Sequence, residues 1–268
     1  MKEYLVLISC IFFIAFLLPG RYKKYFAVLG WTGMVLFLFS ELPYYLSINN
    51  FLYPLMAVIS IPFLVITAKN LLKENRLVMQ LTNAAAIAFL IYAPFAFTPL
   101  GDWLISVTVG QVFWLLTALG YTTDLYAWNM VIRNGFRVEI ILACTGIQAI
   151  AIMLGVAAAV KTTLKQKTLA FLLVVPTIYL LNLIRNTAVI IAYTDQWFPY
   201  LPEIAGNGEY GYESFFWVHN VFAELLALVL LIAIAYGLFR IIPDLAEFAI
   251  SLFDLYRDEI RRIAGRGR

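Results

Sequence analysis

Apolar residues run along this chain in long uninterrupted blocks, separated by short polar turns. The blocks predict helices over about 4–19, 26–40, 51–67, 77–97, 144–160, 168–193 and 217–239. Each approaches the roughly 20 apolar residues needed to cross about 30 Å of hydrocarbon. A further run, 102–119, is apolar enough to cross as well. Yet Asp102, Ser106, Gly110 and Thr117 fall in about a quarter of a helical wheel at about 100° per residue, with Gln111 out of step. This run therefore reads as a helix lying flat at the interface or re-entering it. The pattern changes at 129–140, where two β-prone runs flank Asn134-Gly135, the dipeptide favoured in a two-residue type I′ turn. A short hairpin is expected there. Beyond Pro243 acidic and apolar residues alternate, and the stretch closes on Arg257, Arg261, Arg262, Arg266 and Arg268. That predicts an amphipathic helix at the inner leaflet.

The expected architecture is an all-α polytopic membrane protein with about seven transmembrane helices, an interfacial helix and a short extracytoplasmic β-hairpin. Residues 1–268 form a single integral membrane domain, with 243–268 as its cytoplasmic tail. Composition agrees: 63% of residues are hydrophobic and 13% charged, against about half and a quarter in soluble domains. The net charge of +3 says little; its distribution says more. Arg21, Lys23 and Lys24, then Lys69, Lys73 and Arg76, then Lys161, Lys165 and Lys167 mark short basic loops, which belong on the cytoplasmic side. The loop 194–216 carries Asp195, Glu203, Glu209 and Glu213 with no Lys or Arg, and reads as outside. Seven crossings then give an outside N-terminus and an inside C-terminus. If 102–119 crosses, the N-terminus must move inside to keep Cys144 outside, and two basic loops change sides. The stretch Tyr4–Leu18 has the length of a signal peptide but no small-residue cleavage site, and Arg21, Lys23 and Lys24 follow it. It reads as a retained helix. Cys10 and Cys144 make no disulfide framework, and a single histidine makes no zinc site, so neither metal nor cofactor is expected. No nucleic-acid partner is indicated.

Three reactive side chains stand out against this apolar background. Cys144 sits where a polar hairpin runs into an apolar helix, and the free N–H groups and dipole of a helix start favour a thiolate. Its bland alternative is a small apolar residue. Arg185 lies about eight residues inside its block, roughly 12 Å deep at 1.5 Å per residue. A charge at such depth costs about 2.5–3.5 kcal/mol on insertion scales. Its alternatives are snorkelling or an ion pair with Glu213 or Glu224. His219, the only histidine, opens the last block; otherwise it is an interfacial residue bonded to backbone. On the expected topology all three meet below the outer interface. Asn182, one turn before Arg185, and Asn220, beside His219, supply amides that hold the cluster or glue helices together. Gln148, one turn after Cys144, could reach a reacting carbonyl. This set suits thiol acyl transfer: Cys144 as nucleophile and acyl carrier, Arg185 stabilising the oxyanion or the substrate, and His219 as general acid and base.

Ala-Cys-Thr-Gly-Ile-Gln (143–148), Asn-Leu-Ile-Arg-Asn (182–186) and Phe-Phe-Trp-Val-His-Asn (215–220) resemble the motifs of the exosortase/archaeosortase family, and within it the archaeosortase A type. The resemblance covers about residues 100–240, the expected catalytic part; the N-terminal helices match only in hydropathy. It implies a membrane cysteine transpeptidase, analogous to sortase in mechanism and unrelated in fold. Its substrates would be secreted or S-layer-type proteins that end in a sorting signal: a short motif containing Pro-Gly-Phe, an apolar helix and a basic tail. The enzyme would remove that tail and join the new C-terminus to a membrane lipid, at the extracytoplasmic face of the cell membrane. The chain departs from the pattern at Glu224, where a basic residue is expected. Two other readings remain open: an intramembrane cysteine protease with water as acceptor, and a transporter or scaffold in which Cys144 is inert.

Overall fold

Away from water a lone segment satisfies its own N–H and C=O groups only as a helix, and helices dominate the fold. The computed structural model describes residues 2–47 and 52–265. Its helices are α1 (Lys2–Leu17), α2 (Lys23–Ser47), α3 (Leu52–Leu72), α4 (Arg76–Phe97), α5 (Leu100–Ala118), α6 (Ile147–Ala157), α7 (Leu164–Thr194), α8 (Pro202–Ala205), α9 (Tyr212–Phe215), α10 (Glu224–Ile241) and α11 (Pro243–Gly265). Between α9 and α10 the helix continues through a π-helical segment, Phe216–Ala223.

Among the described residues six stretches are long and apolar enough to cross a membrane: α2, α3, α4, α5, α7 and Tyr212–Ile241. The polytopic all-α reading holds, with a changed membership. α1 has 16 residues and α6 only 11, or about 24 and 16 Å at 1.5 Å each, short of a full crossing. α2 runs on to Ser47 where a loop was expected from Glu41; the rest of that loop, and the expected start of the third helix at Phe51, lie outside the described residues.

α5 was expected to lie flat, and its 19 residues are long enough to cross. The expected sector is present: Asp102, Ser106, Gly110 and Thr117 are all exposed. The opposite stripe, Ile105, Val109, Val112 and Leu116, is buried against protein. Gln111, the residue out of step, accepts a 2.6 Å hydrogen bond from the Tyr179 hydroxyl. It is a partner of α7 rather than a flaw in the helix.

The chain divides into two compact units. The first comprises Met1–Ile91, Ile152–Lys167 and Leu238–Arg268. Its core holds Phe13, Phe16, Leu71 and Val78, with Phe13 stacked on Phe89 at 5.0 Å. The basic segments are tied together here. Lys24 Nζ meets Glu74 Oε1 at 2.9 Å, joining the α1–α2 and α3–α4 turns. Lys69 Nζ meets Glu259 Oε2 at 2.5 Å, joining the end of α3 to the tail helix α11. Gln166 Nε2 donates to the Ile241 carbonyl at 3.1 Å, joining the first turn of α7 to the end of α10, two residues before α11. α11 is amphipathic as expected, with Leu245 buried and Tyr256 stacked on Phe63 at 5.5 Å.

The second unit comprises Tyr92–Ala151 and Thr168–Gly237. Its sheet contains the expected hairpin in full register: β2 (Met130–Arg133) pairs with β3 (Phe136–Glu139), Arg133 facing Phe136 and Met130 facing Glu139. Asn134 and Gly135 have φ of 52° and 83°, as a type I′ turn requires. A third strand, β1 (Asp124–Ala127), adds to the open edge of β2; its single apolar-polar step gave no sequence signal. The hairpin turn is fastened to the end of α7. Arg133 Nη1 donates to Asp195 Oδ1 and Thr194 Oγ1, both at 2.6 Å, and Asn134 Nδ2 donates to the Thr194 carbonyl at 3.2 Å. Phe136 packs on Tyr193 at 5.0 Å.

Candidate active site

α7 is the rail on which the site is built. Its 31 residues span about 46 Å, well beyond the ~30 Å hydrocarbon layer. Leu169, Phe171, Leu172, Leu180 and Ile184 are exposed apolar residues, as a lipid-facing surface requires. From Asn186 to Thr194 the helix is instead almost wholly buried by the sheet and the 195–215 segment. Asn182, Arg185 and Asn186 stand at the changeover. They lie 15–19 residues beyond Lys167, about 22–28 Å along the axis. Arg185 stands nine residues before the end of α7 at Thr194, about 14 Å along the axis.

Cys144 does not begin a long helix. It lies in a 3-10 turn, Leu142–Thr145, followed by Gly146 at φ 81° and then by α6. Its N–H donates to the Ile141 carbonyl at 2.8 Å, and the helix that follows, α6, starts three residues later at Ile147. Local chemistry explains the geometry. The Thr145 hydroxyl donates back to the Leu142 carbonyl at 2.7 Å and accepts from the Ile147 N–H at 3.4 Å, closing the turn and capping α6. Gly146 is required by its backbone conformation, beside α7. Its φ lies in the left-handed region, and a Cβ there would meet Asn182 and Ile178 at 3.4 Å.

The turn is held to α7 through the carbonyl of Cys144. Asn182 Nδ2 and Asn186 Nδ2 both donate to the Cys144 carbonyl oxygen, Asn186 at 2.7 Å. Asn182 thus ties α7 to the Cys144 turn. Asn186 was not singled out from the sequence; its spacing of four from Asn182, which places both on one helix face, is the signal that points to it. The Cys144 side chain is half-buried, while Cys10 is 2% exposed. Alkylation should therefore report on Cys144 alone. Asn182→Ala/Asn186→Ala leaves the carbonyl without either donor. The double variant is expected to lose about 1–3 kcal/mol of stability and to raise the Cys144 alkylation rate several-fold as the turn loosens. Labelling kinetics by mass spectrometry checks this; an unchanged rate would mean that the turn holds itself.

Arg185 is half-buried, and its Nε is buried without a hydrogen-bond partner among the described residues. No carboxylate comes within ion-pair distance of it among those residues, so neither Glu213 nor Glu224 is its salt-bridge partner. Its electrostatic neighbours are His219 and Glu224. His219 lies in the middle of the π-helical segment. Such segments widen the helix and recur at functional positions. The imidazole stacks on Phe215 at 4.8 Å between centroids, and Phe215 in turn meets Tyr193 of α7 at 5.3 Å. His219 Nδ1 is 2.8 Å from Asn220 Oδ1. An amide oxygen only accepts, so Nδ1 carries the proton and Nε2 keeps the lone pair. Asn220 is thereby the residue that orients the ring. Gln148 is exposed and donates to the Tyr92 hydroxyl at 3.2 Å, outside the cluster at α7.

The geometry therefore joins Cys144 to Asn182 and Asn186 on one side of α7, and Arg185 to His219 and Glu224 by charge. Comparison with known proteins adds a second line. The family described as Transmembrane exosortase (Exosortase_EpsH) matches residues 2–208, a range that holds Cys144 and Arg185 and stops short of His219. A protein of Haloferax volcanii named archaeosortase A is 27% identical over 241 residues, covering 81% of this chain and 80% of the relative. A protein of Natronomonas pharaonis with the same name is 28% identical over 196 residues, covering 66% of this chain and 62% of the relative. No solved structure matches the chain.

Proposed function

The chain belongs to the transmembrane exosortase family, and from that premise we propose that it is a membrane cysteine transpeptidase acting on the C-terminal sorting signals of secreted proteins. The observation that carries this reading is the fastening of the Cys144 turn to Asn182 and Asn186, the residues that flank Arg185 on α7. α7 thereby holds the turn that carries the thiol and itself carries a guanidinium whose Nε has no hydrogen-bond partner among the described residues.

In the proposed reaction the Cys144 sulfur adds to the carbonyl of the scissile peptide. Arg185 stabilises the oxyanion, a task suited to a group that stays charged when partly buried. The C–N bond breaks, the leaving amine takes a proton, and a thioester to Cys144 remains. A second nucleophile then attacks the thioester and releases the thiol. His219 Nε2 is the base that receives the thiol proton, passes it to the leaving amine, and later deprotonates the acceptor. The acceptor is a membrane lipid on this reading.

Two features support an extracytoplasmic site. The site lies about 22–28 Å along α7 from Lys167, and the basic segments gather in the first unit, away from the acidic 195–213 stretch in sequence. A substrate with an outward motif, a spanning helix and a basic tail would offer its motif at that level. Pro-Gly-Phe is the motif we propose.

The test is the intact mass of a secreted protein carrying a Pro-Gly-Phe tail helix, made in cells with or without this enzyme. Loss of the tail together with a lipid-sized gain supports a transpeptidase. Loss of the tail with a free carboxylate replaces it with a protease that uses water. An unprocessed substrate overturns the assignment of this signal.

A further inference from the structure

Far from the candidate site in sequence, the first unit contains a cavity of about 460 Å³. It opens between the end of α3 and the last turns of α11, and Lys69, Lys73, Glu259, Arg262, Ile263 and Gly265 line it. Three cations face one carboxylate. Glu259 is 7% exposed and organises them: its Oε2 is 2.5 Å from Lys69 Nζ, and its Oε1 is 3.5 Å from Arg262 Nη1. The Lys69 hydrogen bond, with the charges of Lys69, Arg262 and Lys73, holds the Glu259 carboxyl below the usual range. Glu259 therefore stays ionised and offsets one positive charge, and two remain on the cavity wall. Two ammonium groups and a guanidinium around an open space form a receptor for an oxyanion, with the planar guanidinium offering paired N–H donors.

The surroundings say what carries the anion. Lys69 and Lys73 stand at the end of a candidate membrane span, at the level where lipid headgroups lie. Beside them Leu72, Ile260 and Ile263 expose apolar side chains. A molecule with phosphate in the cavity and hydrocarbon against these residues matches both surfaces. We propose that this cavity binds a phosphate group, and its placement assigns that phosphate to the headgroup of an anionic phospholipid. The bound headgroup links α3 to α11 and so stabilises the docking of the tail helix. This inference is independent of the transpeptidase reading.

The experiment uses the full chain in nanodiscs of phosphatidylcholine alone or with phosphatidylglycerol, and in phosphatidylcholine with added inorganic phosphate. Thermal unfolding followed by tryptophan fluorescence gives the stabilisation at each concentration. Lys73→Ala/Arg262→Ala removes two wall cations and keeps Lys69, whose loss would strand Glu259. Arg257→Ala/Arg261→Ala removes equal charge from the same helix outside the cavity. Phosphatidylglycerol is expected to raise the unfolding midpoint of the native chain and of the Arg257/Arg261 variant. The cavity variant should bind about 25-fold more weakly, at roughly a factor of five per cation near a membrane surface. Inorganic phosphate acting alone at comparable concentration would support the oxyanion site and reassign it to soluble phosphate. No stabilisation of the native chain by either probe, or equal loss in the two variants, would overturn the proposal.

Discussion

Cys144→Ala is expected to abolish cleavage of the sorting signal, by ~10³-fold or more, while leaving the folded protein intact. A covalent nucleophile has no substitute in the acyl-transfer route, and its removal takes the reaction back to whatever positioning and charge can do alone. The structure separates this effect from a folding defect. Cys144 is half-buried, and its recorded hydrogen bonds use the backbone N–H and carbonyl, both of which alanine keeps. The unfolding midpoint should stay within a few degrees of the native value. Cys144→Ser should be nearly as inactive, because a hydroxyl needs far more activation than a thiol to act at neutral pH. Signal cleavage measured on a purified substrate, beside thermal unfolding of each variant, checks both halves. Retained turnover in Cys144→Ala would remove the thiol from the mechanism.

The features legible in the sequence were those set by local chemistry. Asn134-Gly135 fixes a hairpin because only residues tolerant of positive φ make a type I′ turn, and the register found follows from that turn. The tail helix follows from its own periodicity, although its partner surface on α3 does not. What was missed depends on distant contacts. The apolar run after Cys144 looks like one helix, yet Gly146 breaks it at φ 81° where α7 passes close by. α6 then ends after 11 residues, which no hydropathy block would indicate. The polar sector of α5 was read as facing water or headgroups from an interfacial helix, whereas its apolar stripe is covered by α7 and the sheet. Asn186 was visible only as a polar residue one turn from Asn182, since their common partner lies 38–42 residues earlier. Likewise the π-helical segment around His219 has no pattern of its own in an apolar block.

Arg185→Ala is expected to lower kcat by about 10²–10³-fold, the usual effect of removing one oxyanion donor, with little loss of stability or even a gain. The second half of that expectation decides between roles. Were Arg185 half of a buried ion pair, its removal would strand a carboxylate and cost about 3–5 kcal/mol. No carboxylate lies within ion-pair distance of it among the described residues, and its Nε has no hydrogen-bond partner. A half-buried guanidinium left in that state is a cost to the resting protein, which substrate binding or the oxyanion would relieve. Arg185→Lys should recover part of the activity, because it restores the charge without the planar fork. KM should move much less than kcat, since the interaction strengthens only as charge develops on the carbonyl oxygen. Steady-state kinetics and unfolding midpoints on the three proteins test this together. A fall in stability that matches the loss of activity would make Arg185 a structural residue, and would move oxyanion stabilisation to another donor near Cys144.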